Sequence, residues 1–161
     1  MGKEYIQVKN MIFPGKNPDL NSVEKYITDN ISGQIIVSET GDIIQIGSKF
    51  ASEYCGSTYT KKIWGALLKA KCNAVQILPE LVESAENRRW IENKDEKHSN
   101  DAIGGWYRYD VRFSIPIFDN LGNHVMNNDY LATLVARIND KGIYLHDLIN
   151  IKKEASTPFE S

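Results

Sequence analysis

The chain has 161 residues, of which 42% are hydrophobic and 25% charged, and its formal charge is −2 at pH 7. Those values match an ordinary globular domain, large enough to bury a core without a metal or disulfide staple. A pI near 5.9 excludes a protein that coats nucleic acid through bulk charge, while leaving room for a small basic site on a neutral body. Cys55 and Cys72 are too few for a disulfide scaffold and lack metal-ligand spacing. They read as reduced thiols in a cytoplasmic protein. The first five residues hold no apolar core for a secretory signal, and no run approaches the roughly 18 apolar residues of a membrane-spanning helix.

Residues 1–18 read as a lead-in closed by turns at Phe13-Pro14-Gly15 and Asn17-Pro18. Asn21 or Ser22 offers a helix N-cap. Val23, Tyr26, Ile27 and Ile31 follow at helical spacing, and Gly33 supplies the stop. Residues 34–38 and 42–46 are β-branched runs around Glu39-Thr40-Gly41, which predicts a hairpin. A short helical turn over residues 49–54 precedes a longer helix from Thr60 towards Ala85, which Pro79 kinks or splits.

Residues 86–105 are polar and end in Gly104-Gly105, so they read as a long loop. From Trp106 to Ile117 the residues alternate. Tyr107, Tyr109, Val111, Phe113, Ile115 and Ile117 share one face; Trp106, Arg108, Asp110, Arg112 and Ser114 share the other. Strands over residues 130–138 and 143–151 complete an antiparallel meander. Residues 152–161 read as a polar tail. The expected architecture is a single α+β domain with its core in residues 19–151: N-terminal helices packed on a predominantly antiparallel four- to five-stranded sheet ending in the meander. The helices are expected to cover the Tyr107–Ile117 face.

No phosphate-binding glycine loop, zinc motif or nucleophile elbow is present, so neither a metal nor a cofactor is expected. The chemistry-bearing groups are Arg108 and Arg112 on one strand face, with His98 in the polar loop and His146 in the last strand. Guanidinium groups fixed on a strand suit phosphate recognition because each presents a planar fork of donors. Histidine suits proton transfer because it titrates near neutral pH. Equally, Asp110 pairing with both arginines would make that face an ordinary ion-paired surface.

Five strings occur in order: Glu53-Tyr54 with Ser57-x-Tyr59-Thr60; Lys69-Ala70-Lys71; Asn93-x-x-x-Lys97-His98; Gly105-Trp106-Tyr107-Arg108-Tyr109-Asp110-x-Arg112-Phe113; and the run from Ile143 to Glu154. Over about residues 20–158 the chain resembles the phage- and mobile-element-associated domains grouped with the barnase–EndoU–colicin–RelE-like nucleases, including large polyvalent-protein-associated domains. The resemblance implies a metal-independent ribonuclease fold, with relatives that serve as toxins. A tyrosine is common in the group where this chain has His146.

Together, residues and resemblance predict an endoribonuclease that leaves a 2′,3′-cyclic phosphate. His98 would be the acid–base group, with His146 or Tyr144 as its partner. Arg108 and Arg112 would stabilise the charge developing on phosphorus. Lys71, Lys97, Lys152 and Lys153 would hold the RNA, and Trp106 would stack a base. The expected partners are RNA and a cognate inhibitor or phage protein, without a membrane. The alternative is a non-catalytic protein-interaction module of a phage or mobile-element protein.

Overall fold

The computed structural model describes residues 4–94 and 102–159. In chain order these form β1 (Ile6–Gln7), α1 (Leu20–Asn30), β2 (Gly33–Ile36), β3 (Ile43–Ile46), α2 (Phe50–Gly56), α3 (Thr58–Lys62) and α4 (Gly65–Asn73). A 3-10 turn (Ala74–Ile77), α5 (Leu78–Ser84), β4 (Glu86–Ile91), β5 (Trp106–Phe118), β6 (His124–Asn139) and β7 (Gly142–Pro158) complete the chain. The expected architecture is corrected. This is a seven-stranded mixed sheet curled into a half-barrel, mostly sheet rather than helices on a small antiparallel one.

Three departures enlarge the sheet. The lead-in supplies β1, which pairs in parallel with β5 through Ile6↔Phe113 and Gln7↔Ser114. The polar segment supplies β4, antiparallel to β5, where its exposed side chains cost nothing at an outer edge. The polar tail continues β7 as far as Pro158. A parallel pairing of β3 with β7 then joins the hairpin to the meander, giving the order β1-β5-β6-β7-β3-β2.

The curl has a source in β7. Its register against β6 shifts three times, and each shift leaves an extra residue on β7: at His146, between Ile149 and Lys152, and at Glu154. Each β-bulge bends its strand and raises the local twist. Asn150 takes φ 51° at the second bulge, a left-handed conformation that asparagine tolerates better than most residues.

The core lies on the β5 face of Tyr109, Val111, Phe113 and Ile115, against Val23 and Ile27 of α1, Phe50 and Tyr54 of α2, and Leu78, Leu81 and Val82 of α5. Asp19, rather than Asn21 or Ser22, caps α1 through a bond from the Asn21 amide. Ser57, rather than Thr60, caps α3. Pro79 sits in the first turn of α5, the one place in a helix where its missing donor is harmless. Among the described residues, no helix is long and apolar enough to cross a membrane. Burial pushes the thiols of Cys55 and Cys72 up to about 12 and about 11.

Candidate functional site

A cleft of about 560 Å³ opens between the α2–α3 corner and the polar face of β5–β7. Ser52, Glu53 and the stretch from Gly56 to Tyr59 line one side. Trp106 and Arg108 of β5, Val135 of β6, and His146, Asp147 and Ile149 of β7 line the other. Strand pairing makes this a compact group: Arg108 lies opposite Val135, and Val135 opposite Asp147.

His146 reaches the cleft because it is the extra residue of a bulge, between Leu145 (opposite Ala136) and Asp147 (opposite Val135). Its ring lies 4.9 Å from that of Trp106, and its Nδ1 is 3.2 Å from Oε2 of Glu53. The other carboxylate oxygen of Glu53 accepts a bond of 2.6 Å from Nη1 of Arg137. Burial opposes ionisation of Glu53, but the adjacent His146 ring and the hydrogen bond from Arg137 outweigh it and hold the carboxyl below its ordinary range. Glu53 is therefore an ionised carboxylate held beside the imidazole.

The next residue, Asp147, is pinned from behind. Its Oδ1 accepts bonds from Nζ of Lys71 at 2.5 Å and from the amide of Leu148 at 2.9 Å. Lys71 is buried, with its ammonium 4.5 Å from the centre of the Tyr54 ring and 5.1 Å from that of Tyr59. Burial pulls the Lys71 ammonium below its ordinary value, and Asp147 opposes this without cancelling it.

Arg108 is the odd charge. Glu53 is matched by Arg137 and Asp147 by Lys71. Among the described residues Arg108 has neither an ion-pair nor a hydrogen-bond partner, and its Nε is buried. A partly desolvated guanidinium without a counter-charge is costly.

The other sequence-predicted residues scatter. Arg112 does not join Arg108: its guanidinium pairs with Glu86 at 2.6 Å and lies 3.7 Å from Glu154. Asp110 bridges neither strand arginine and instead meets Arg89 at 3.0 Å and Asn87 at 2.9 Å. Lys71 is sealed in the core, where no substrate reaches it. Tyr144 lies outside this cleft, beside Arg137 in a neighbouring cavity. Lys152 and Lys153 are exposed further along β7 and do not line the cleft. His98 and Lys97 lie outside the described residues.

Two participants carry no site role in the sequence reading, although Glu53 stands in its first motif string. Glu53 sits in a short helix 93 positions before His146, and no local pattern links them. Arg137 did leave a signal, as a charged residue directly after the apolar run Leu134–Ala136.

Among the described residues no cluster of three or more His, Cys, Asp or Glu side chains could hold a metal ion. Comparison with protein-family models, curated proteins and solved structures finds no match to this chain. The likeness to the barnase–EndoU–colicin–RelE-like group rests on the sequence motifs alone.

Proposed function

We propose that the cleft binds RNA and cleaves it through proton transfer by His146, without a metal ion. The observation that carries this reading is the uncompensated Arg108 guanidinium in the same cleft as an imidazole oriented by a carboxylate. Arg108 receives the scissile phosphate. Trp106 offers a flat face for a base, a contact worth about 1–3 kcal/mol. Nε2 of His146 takes the proton of the 2′-hydroxyl as that oxygen attacks phosphorus. The P–O5′ bond then breaks, and the imidazolium returns the proton to the departing 5′-oxygen. The products are a 2′,3′-cyclic phosphate and a 5′-hydroxyl, with no proton gained or lost.

Arg108 stabilises the charge that builds on the phosphoryl oxygens, an effect strongest where water is excluded. Glu53 keeps the ring aligned and steadies its protonated form between the two transfers. The motif resemblance supports the same chemistry, a phage or mobile-element origin and action in the cytoplasm.

The test is incubation of labelled single-stranded RNA in EDTA with wild type, His146→Ala and Arg108→Ala. Wild type is expected to cleave, and His146→Ala to lose about 10²–10⁴ in rate. RNA neither bound nor cleaved by wild type would instead favour the non-catalytic protein-interaction module.

A further inference from the structure

We infer that the RNA track continues past Arg137 into a second cavity, where Lys49 and Lys141 hold the phosphate and Tyr144 the base of a neighbouring nucleotide. This rests on the reading of the first cleft as an RNA site. The second cavity, of about 370 Å³, is lined by Gly47, Lys49, Arg137, Asp140, Lys141 and Tyr144 among others. Arg137 joins the two: its guanidinium pairs with Glu53 of the first cleft, and its side chain lines the second.

Charge points to an anionic ligand here too. Arg137 is matched by Glu53, which leaves Lys49 and Lys141 facing the single carboxylate of Asp140. Among the described residues neither lysine forms an ion pair, and both are exposed. A surface that gathers two unpaired ammonium groups around one aromatic ring offers the two contacts a nucleotide needs.

The ring is placed for stacking. Tyr144 is half-buried, with the Arg137 guanidinium 5.3 Å from its centre, a contact that fixes its plane. Gly47 packs beside the ring without a side chain, where a Cβ would stand 3.4 Å from Tyr144 Cδ2. Tyr144 and His146 are two positions apart on β7, on either side of Leu145, so neighbouring nucleotides of one strand would meet them in turn. Tyr144 is thereby a binding residue of the adjacent nucleotide rather than a proton donor at the reacting phosphate.

The test uses fluorescein-labelled 2′-O-methyl oligonucleotides, which cannot react, two and six nucleotides long, with binding followed by anisotropy. The double variant Lys49→Ala/Lys141→Ala should weaken the six-mer and flatten its salt dependence by about 0.7 per lost phosphate contact, leaving the two-mer unchanged. Tyr144→Ala should weaken the six-mer about 5- to 150-fold, and Tyr144→Phe should restore it. All replaced side chains are exposed or half-buried, and an unchanged thermal midpoint verifies folding. Six-mer affinity and salt slope unchanged in the double variant, while Arg108→Ala weakens both lengths, would overturn the second subsite and leave the first cleft standing. Failure of wild type to bind either length would overturn both.

Discussion

Lys71 and Asp147 meet at 2.5 Å in the interior, with side-chain exposures of 1% and 4%, and Asp147 directly follows the histidine that faces the cleft. The pair ties helix α4 to the bulge of β7. Breaking a buried pair from one side leaves a stranded charge, which costs about 3–5 kcal/mol. Lys71→Met and Asp147→Leu should each lower stability by that order in urea unfolding. The double variant should recover most of the loss, because no charge is then left unpaired. Additive losses would contradict this.

Glu53 makes stability depend on acid. Its carboxyl is held below its ordinary range in the folded protein, whereas an unfolded glutamate titrates near pH ~4.3. A depressed folded value means the contribution is complete above the unfolded value and disappears as pH falls through the folded one. The urea midpoint of Glu53→Gln should therefore lie below that of wild type at pH 7, and the gap should close below about pH 4. A gap constant from pH 7 to pH 3 would contradict the ionised carboxylate.

Arg108 and Arg112 share a strand face and should behave oppositely. Arg112 ties β5 to Glu86 and to Glu154, so Arg112→Ala should lower stability and spare RNA binding. Arg108 has no such partner among the described residues, so Arg108→Ala should spare or raise stability and weaken RNA binding. Parallel melting curves and anisotropy titrations decide it. Equal effects on binding would return Arg112 to the site.

How much of this was legible depends on where the information sits. The alternation from Trp106 to Ile117 identifies a strand and its core face because burial on one side of a sheet writes a period of two into the sequence. Pro79 marks a break because its chemistry is local. Edge strands carry no such mark. β4 has no apolar face to reveal it, and β1 exists only through its pairing with β5. The bulge at His146 is likewise invisible, because it reflects how β7 meets β6 and not what β7 contains. Arg108 and His146 were therefore found as residue types on strands, while their meeting with Glu53 and Arg137 waited for the fold.

The most direct test of the catalytic claim is cleavage of a DNA oligonucleotide carrying one ribonucleotide, in EDTA, with the 3′ end of the upstream product identified by mass spectrometry. The expected result is a cut at the ribonucleotide alone, a 2′,3′-cyclic phosphate on the upstream fragment, and loss of the cut in His146→Ala. An uncut oligonucleotide with wild type, or equal cutting by His146→Ala, would contradict it.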